Sequence, residues 1–427
     1  MHRVVITGIG AVTPIGNTFE TSWEAACRQQ SGIAPVTHFS TSGIPWKVCG
    51  ELKCFDPLLY LNIKETRRLD PFAQYAVAAA LMAAEDAGLI KQAKGEGLTA
   101  GDSSLDEPNN YLNSGAIFIG SSRGGISTIE TAVSTQLPVS GLRTKTRRIS
   151  PYLMPATTTS MAASYTAQKL GVRGYSLGIS NACTSGTNAI GEAYRMIKAG
   201  FSGPVFAGGA DAPVCRTCIE GYGAAGALSK ISDQTASRPF DRHRDGFVLS
   251  EGACVLVLEE YHAAQKRGAK IYAEIIGYGN SVDAFHQTRP LAEGEAMAMN
   301  SALSSAGIIS EDVDLISSHG TSTPVGDIAE CRAIHQVFGE RAASIPVTAI
   351  KSLSGHMLAA SGAFETACTA MTIRQARILP TINLSEQDEQ IRLSVMRETQ
   401  SADIRIAVVN SFGFGGVNAV LVLKKAV

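Results

Sequence analysis

The chain contains 427 residues, of which 45% are hydrophobic and 18% are charged, and its formal net charge is −1 at pH 7. Such a composition is typical of a globular protein with a sizeable core, and the length predicts two or three structural units. The near-zero charge excludes a global basic field for binding nucleic acid or an anionic membrane surface.

The nine cysteines are odd in number and irregularly spaced, and Cys215 and Cys218 form an isolated C-x-x-C pair. This pattern does not indicate a disulfide framework, and it favours a reducing compartment. The amino terminus lacks the apolar core of a signal peptide, and no run approaches the roughly 18 apolar residues of a membrane span. We therefore expect a cytoplasmic protein without a membrane span.

The first part of the chain alternates short apolar runs with helical patterns. The patterns predict strands at 3–9, 115–120, 175–182, 204–209 and 253–258, and helices at 72–88 and 185–199. Gly8-Ile9-Gly10 resembles half of a dinucleotide fingerprint, but Thr13 occupies the third glycine position and Pro14 follows it. A strand-to-loop turn is therefore the simpler interpretation. The polar residues 91–113 predict a surface loop.

The second part of the chain repeats the alternation. Strands are predicted at 271–277, 313–318, 405–410 and 418–424, and helices at 295–306 and 361–376. Strands that alternate with helices predict an α/β fold with largely parallel sheets. We therefore predict two similar units, residues 1–265 and residues 266–427.

A cysteine lies where a predicted strand gives way to a helix, in the segment Ile179-Ser180-Asn181-Ala182-Cys183-Thr184-Ser185-Gly186. A thiol at a helix N-terminus feels the positive end of the macrodipole, which favours the thiolate. The small neighbouring residues leave room for a substrate. Cys183 is therefore a candidate nucleophile, and a buried inert cysteine is the alternative.

Two histidines occupy similar settings. His319 follows a predicted strand in Ser318-His319-Gly320-Thr321-Ser322-Thr323-Pro324-Val325-Gly326-Asp327, where Asp327 either braces the loop or caps the next helix. His356 lies five residues after Lys351, and Glu365 in the following helix is a candidate partner for that lysine. A lysine near a neutral imidazole disfavours the imidazolium, so the ring donates one N–H. The alternatives are a satisfied loop histidine, a core histidine and an exposed lysine.

A fourth segment, Asn410-Ser411-Phe412-Gly413-Phe414-Gly415-Gly416-Val417-Asn418, is rich in glycine. Such a segment lets backbone N–H groups converge on an anion, which suits an oxyanion hole. A simple glycine-rich hairpin is the alternative. The Cys/His/His set also fits a zinc site, although no H-E-x-x-H or second C-x-x-C supports a metal. A Cys–His hydrolase is a further alternative.

In order, the motifs NACTSG, HGTSTPVGD, KSLSGH and NSFGFGG resemble those of the β-ketoacyl-carrier-protein synthases, closest to the elongating ketosynthase II enzymes. The resemblance extends from RVVITGIGAVTPIG through SRPFDRHRDGFVLSEGA and LPTINL to the carboxyl terminus. It implies a thiolase-like fold of two similar halves in a layered αβαβα core and a homodimer, with a heterodimer with a paralogous subunit as the alternative. We expect no cofactor and no metal. The resemblance also implies decarboxylative condensation of an acyl thioester with malonyl-acyl carrier protein.

The resemblance implies a role for each site residue. Cys183 would carry the acyl group, with its own N–H and that of Phe412 as the oxyanion hole. His319 and His356 would stabilise the malonyl enolate, and Lys351 with Glu365 would order the site around His356. Phe412 would gate the site. The supporting residues are Asp327, Thr321 and Thr323, and the gating loop is Gly413, Phe414, Gly415 and Gly416.

The implied partner is an acidic acyl carrier protein. Lys64, Arg67 and Arg68 form one candidate docking cluster, and Arg143, Lys145, Arg147 and Arg148 form another. Arg123 departs from the resemblance, because many relatives carry an apolar residue there, near the floor of the acyl pocket. The acyl chain and the pathway, fatty acid or polyketide, therefore stay open. A partner subunit that only shapes the chain-length tunnel and a thioester hydrolase are the alternative functions.

Overall fold

The computed structural model describes residues 2–91, 110–134 and 149–426. Most of the predicted surface loop 91–113 and the basic cluster at Arg143, Lys145, Arg147 and Arg148 lie outside these described residues. No helix within the described ranges has both the length and the apolar character to cross a membrane.

The strands, in chain order, are β1 (Val4–Val12), β2 (Ala34–Pro35), β3 (Val48–Cys49), β4 (Ala116–Gly120), β5 (Tyr175–Ile179), β6 (Val205–Asp211), β7 (Gly252–Glu260), β8 (Ala273–Val282), β9 (Leu315–Ser317), β10 (Pro346–Thr348), β11 (Arg377–Ile378), β12 (Ser394–Val395), β13 (Gln400–Ser401), β14 (Ile406–Gly413) and β15 (Val417–Lys424).

The α-helices are α1 (Phe19–Cys27), α2 (Ile63–Thr66), α3 (Pro71–Asp86), α4 (Asn110–Asn113), α5 (Ile126–Ser134), α6 (Leu153–Thr157), α7 (Met161–Leu170), α8 (Ser185–Lys198), α9 (Arg216–Ala224), α10 (Tyr261–Lys266), α11 (Ala292–Ala306), α12 (Pro324–Phe338), α13 (Lys351–Ser354) and α14 (Ala359–Gln375). Short 3₁₀ turns occupy Pro57–Leu59, Ser310–Asp312 and Gly339–Ala343.

The main sheet repeats one topology. Its strand order is β12-β10-β9-β14-β15-β8-β1-β7-β6-β4-β5. The run β5-β4-β6-β7-β1 and the run β10-β9-β14-β15-β8 connect their strands in the same sequence order. Val4–Ile6 pairs with Ala273–Ile275 and joins the two runs. The repeat lies on either side of residue 265, and the division into units 1–265 and 266–427 stays a prediction.

Alternate residues of the strands pack into different cores. In β7, Cys254, Leu256 and Leu258 share a central core with α8 and α14. Ala253, Val255 and Val257 face α3 and α7 in an outer core. In the second half, β14 and β15 contribute to the central core and to another outer core with α11 and α12. Because side chains alternate along a strand, each half is covered by helices on both faces, which gives the predicted αβαβα layers.

The candidate site lies where parallel strands end. β5 leads to Cys183, β9 leads to His319, and β10 leads through α13 to His356. β5 and β10 hold the same position in the two repeated runs, and each is followed by a helix of the central layer, α8 or α14. Ligands of open α/β sheets bind at the carboxyl ends of strands. The fold therefore gathers distant segments of the chain at one place.

Candidate active site

A tight turn presents Cys183. β5 ends at Ile179, three residues earlier than the predicted strand, and α8 begins at Ser185. Ala182 has a φ of 48°, a left-handed conformation that is unusual for alanine. Ser185 Oγ accepts from the N–H of Asn181 (2.7 Å) and donates to the carbonyl of Ala182 (2.6 Å). These bonds stabilise the turn that holds the thiol between strand and helix.

Close packing of two central helices sets the distance across the site. A Cβ added to Gly186 in α8 would lie 2.1 Å from the carbonyl oxygen of Ala359 at the start of α14. Only glycine permits this approach. It places the segment that carries Cys183 against the segment that carries His356.

One cavity contains the candidate nucleophile and both candidate histidines. Cys183, His319 and His356 all line it, and its empty volume, open mouth included, is about 710 Å³. The centroids of the two imidazole rings are 5.4 Å apart, with the rings at 85° to each other. The structure therefore brings together the three reactive groups that the sequence placed in separate motifs.

His356 is a buried neutral ring with one defined tautomer. Its Nδ1 lies 3.1 Å from Ser361 Oγ, and that oxygen accepts from the N–H of Met357 at 2.9 Å. The serine proton is then free for Nδ1, which leaves the ring proton on Nε2. Burial, assisted by the charge of Lys351, lowers the pKa of His356 well below its usual value. His356 therefore offers one N–H at neutral pH.

Lys351 contacts the other histidine, which corrects the prediction that it orders His356. Its Nζ lies 3.2 Å from His319 Nδ1 and donates to the His319 carbonyl at 2.6 Å. It also forms a buried ion pair with Glu365, as predicted. These contacts occupy all three ammonium protons. His319 Nδ1 is thus an acceptor, and its Nε2 carries the proton.

Buried charges explain both protonation states. Burial, then Lys351 and His356, lower the pKa of His319 well below its usual value. Burial raises the pKa of Glu365 to about 7, whereas Lys351 acts in the opposite direction. Both imidazoles are therefore neutral hydrogen-bond donors.

Two acidic residues of α12 hold the His319 loop. Glu330 accepts from the N–H groups of His319 and Gly320, both at 2.8 Å, and the sequence interpretation missed it. Asp327 accepts from the N–H of Ser322 at 3.1 Å, so it braces the loop. The helix cap is Thr323, whose side chain accepts from the N–H of Gly326. The i, i+3 spacing of Asp327 and Glu330, which puts both carboxyls on one face of a helix, is the sequence signal that could have identified Glu330.

Burial dominates the charge state of Cys183. It raises the pKa of the thiol to about 11, whereas the cations Lys351 and Arg123 act in the opposite direction. The positive end of the helix dipole, which was expected to favour the thiolate, therefore does not outweigh burial. The resting group is a thiol, which must lose its proton during attack.

The glycine-rich segment is a hairpin, and its second phenylalanine faces the thiol. The backbone N–H of Phe414 lies near the Cys183 sulfur and acts to lower the pKa of the thiol. Phe412 lies in β14, opposite Asn418 of β15, and its ring contacts His319 with centroids 5.8 Å apart. The structure thus gives Phe414 the position that the sequence interpretation assigned to Phe412.

The remaining predicted loop residues surround the same cavity. Thr321, Thr323, Asp327, Gly413, Phe414 and Gly416 line it. The hydroxyls of Thr321 and Thr323 are 3.0 Å apart. Gly415 is exposed at the tip of the hairpin with a φ of 91°, which favours glycine. Two aromatic residues that the sequence interpretation missed, Tyr222 and Phe247, line the cavity beside Cys183.

Arg123 has a partner in the cavity wall. Its Nε donates to Tyr222 Oη at 2.8 Å, and its guanidinium lies 5.1 Å from the centre of the tyrosine ring. The Tyr222 ring in turn contacts Phe247 and Phe414, at centroid distances of 5.5 and 6.1 Å. One wall of the site is therefore formed by aromatic rings, and the guanidinium of Arg123 lies behind Tyr222 in that wall.

The predicted docking cluster is exposed. Lys64, Arg67 and Arg68 lie on and after the short helix α2, and Arg68 stacks over the Tyr152 ring at 4.4 Å. Three exposed apolar side chains accompany them, namely Leu58 (53% exposed), Leu59 (58%) and Ile63 (57%). Such a mixture of positive charge and apolar surface suits an acidic protein partner.

The described part of the chain holds no group of three or more His, Cys, Asp or Glu side chains that could bind a metal ion. All nine cysteines are free thiols.

Comparisons with known proteins cover almost the whole chain. Residues 1–264 match the family model "Beta-ketoacyl synthase, N-terminal domain", and residues 272–385 match "Beta-ketoacyl synthase, C-terminal domain". A 3-oxoacyl-[acyl-carrier-protein] synthase 2 of Staphylococcus aureus is 42% identical over 427 residues, which are 99% of this chain and 98% of the relative. The Vibrio cholerae protein of the same name is 40% identical over 433 residues, 99% of both chains.

Solved structures of ketosynthases also match the whole chain. The ishigamide ketosynthase/chain length factor matches with a TM-score of 0.88 at 33% identity, over 100% of both chains. A type II polyketide ketosynthase in complex with its acyl carrier protein, bound to the hexaketide, matches with a TM-score of 0.87 at 31% identity, over 100% of both chains.

Proposed function

The chain belongs to the β-ketoacyl synthase family, and from this premise we propose that it condenses an acyl thioester with malonyl-acyl carrier protein and releases carbon dioxide. One observation carries the proposal: a thiol and two neutral imidazoles line a single cavity. The relatives named 3-oxoacyl-[acyl-carrier-protein] synthase 2 support it.

Cys183 performs the first half-reaction. Its sulfur attacks the acyl thioester of the carrier, a carbon–sulfur bond forms to the enzyme, and the carrier thiolate leaves. The proton of the Cys183 thiol ends, in net terms, on the released carrier thiol. The N–H groups of Cys183 and Phe414 stabilise the oxyanion, because the Phe414 N–H already faces the sulfur.

The two histidines serve the second half-reaction. Malonyl-carrier protein loses carbon dioxide and leaves an enolate, whose oxygen receives the Nε2–H groups of His319 and His356. The enolate carbon attacks the acyl carbonyl, the bond to Cys183 breaks, and the sulfur takes up one proton. The product is a β-ketoacyl-carrier thioester two carbons longer. Gating belongs to Phe414 in this proposal, with Gly415 and Gly416 as its hinge.

The assembly is a homodimer in this proposal. β5 is an edge strand of the main sheet, and its residues Tyr175 and Leu177 are 48% and 37% exposed. An exposed edge with large apolar side chains favours pairing with a second chain. A solved relative is described as a ketosynthase/chain length factor, which keeps a paralogous partner as the alternative.

The assay that tests the function combines the protein with acyl- and malonyl-carrier protein. We expect an acyl-enzyme on Cys183, release of carbon dioxide and a β-ketoacyl product. Free acid as the sole product would instead identify a thioester hydrolase, and the absence of any acyl-enzyme would identify a partner subunit.

Reversing the charge of the docking cluster is expected to weaken carrier binding. The triple variant Lys64→Glu, Arg67→Glu and Arg68→Glu should raise KM for acyl-carrier protein at least about tenfold at low salt, because charge steers an acidic partner to its site. The effect should shrink as salt screens the charges. KM for acyl-pantetheine should stay unchanged, as should all constants of Arg405→Glu, an exposed control. Equal effects on both thioesters would exclude a docking role.

Removing the cation from the aromatic wall is expected to change acyl preference. Arg123→Met should raise the ratio of dodecanoyl to butyryl transfer to Cys183 about tenfold, because a long alkyl chain no longer desolvates the guanidinium beside Tyr222. Arg216→Met, an exposed arginine on α9, is the matched control. An unchanged ratio would show that Arg123 does not limit the acyl pocket.

A further inference from the structure

Glu295 is a buried carboxyl on the wall of the cavity that holds the proposed catalytic residues. It lies in the first turns of α11, is 1% exposed and lines the cavity with Cys183, His319 and His356. Its Oε2 is buried and has no hydrogen-bond partner among the described residues. A buried polar group without a partner is costly unless a ligand or water completes it.

The neighbouring carboxylates differ from Glu295 because each has its own donors. Asp283 accepts from Leu291 N and Asn418 Nδ2, Asp327 from Phe240 N and Ser322 N, and Glu330 from His319 N, Gly320 N and Asn410 Nδ2. Glu295 alone among the four carboxyls is left to interact with the contents of the cavity.

The surroundings of Glu295 favour its neutral, protonated form. Burial, then the charges of Glu330, Asp283 and Asp327, raise its pKa well above the usual value. A carboxyl whose pKa is raised keeps its proton to a higher pH than an ordinary glutamic acid does. It therefore presents an O–H donor and a carbonyl acceptor rather than a negative charge.

The chemistry of this part of the cavity selects one segment of the substrate. A hydrocarbon chain gives the O–H no acceptor, and an anion such as the malonyl carboxylate is repelled by the surrounding acidic groups. A neutral amide provides an acceptor without a charge. The thioester arm of a carrier protein contains amides, and the hydroxyls of Thr321 and Thr323 line the same cavity as Glu295.

We propose that the Glu295 carboxyl donates a hydrogen bond to an amide carbonyl of the carrier's thioester arm and so contributes to recognition of carrier-bound substrate. This inference rests on the proposed condensing function. Glu295 acts as a binding residue in it, and the chemistry at Cys183 does not depend on it.

The test compares two variants on two substrates. Glu295→Met fills a similar volume without a donor, and Glu295→Gln keeps a neutral donor at the same place. For acyl-carrier protein, Glu295→Met should raise KM about threefold to tenfold, the worth of one neutral hydrogen bond, with kcat little changed. Glu295→Gln should stay within about twofold of the unmodified protein. For an acyl ethanethiol ester, which has no amide, neither variant should change KM.

Controls separate the possible failures. Glu293→Met, on the exposed face of the same helix, should change neither constant. An equal rise of KM for both thioesters would show a structural role, and an unchanged KM of Glu295→Met for the carrier substrate would show that the bond is not made. Either result overturns the inference. If the unmodified protein forms no acyl-Cys183 with any thioester, the proposed function itself fails.

Discussion

A Cys183→Ala variant is expected to form no covalent acyl-enzyme and to lose at least about 10⁴-fold of condensation activity, because no other group can hold the acyl chain. Intact-mass measurement after exposure to acyl-carrier protein checks this, since the unmodified protein should gain the mass of one acyl group. The variant keeps His319 and His356, so it should still decarboxylate malonyl-carrier protein. The enolate is then protonated to an acetyl thioester.

The matched control is Cys218→Ala, which removes a buried cysteine from the same apolar cluster. This variant should still gain the acyl mass and condense. Acyl label that persists in Cys183→Ala would refute the nucleophile assignment. Loss of label in both variants would point to a disturbed fold instead.

The layered fold was predictable because each strand faces two cores. In β7 the apolar run continues without interruption, and its alternate residues enter the central and the outer core. Such a run signals a strand buried on both faces, which is typical of α/β proteins. Strand ends were less predictable, since Ile179 ends β5 where a turn begins that depends on the Ser185 hydroxyl.

The two phenylalanines of the hairpin show that a motif alone does not predict which of two similar residues faces the active site. Phe412 and Phe414 stand in almost identical surroundings of glycine, and the sequence does not show which one ends the strand. Pairing of Gly413 with Val417 places Phe412 inside β14 and Phe414 in the turn. The N–H that faces Cys183 follows from that register.

The sequence also does not show which side chains from distant parts of the chain contact each other. Lys351 lies five residues before His356 in sequence but contacts His319, which is 32 residues away. The sequence does not show the desolvation of Cys183 either. It places the cysteine at a helix N-terminus, but it does not reveal the burial that raises the pKa of the thiol to about 11.

Single replacements of His319 or His356 by alanine are expected to reduce decarboxylation of malonyl-carrier protein by about 10²–10³-fold, the usual cost of one oxyanion donor. Acyl transfer to Cys183 should fall by less than about tenfold, because the oxyanion of that step lies against backbone N–H groups. Carbon dioxide release and acyl-enzyme mass, measured separately, resolve the two half-reactions. His243→Ala, an exposed histidine, is the control.

The hydrogen-bond partners of His319 and His356 indicate that both alanine variants can fold, so their two half-reactions can be compared. His319→Ala removes one contact of Lys351, which keeps Glu365 and the residue 319 carbonyl, whereas His356→Ala leaves Ser361 bound to the N–H of Met357. Neither change opens an unpaired buried charge, so both variants should fold. Equal losses in both half-reactions would mean that the rings shape the site rather than bind the enolate. A selective loss of decarboxylation requires N–H donors that act when the malonyl carbanion forms.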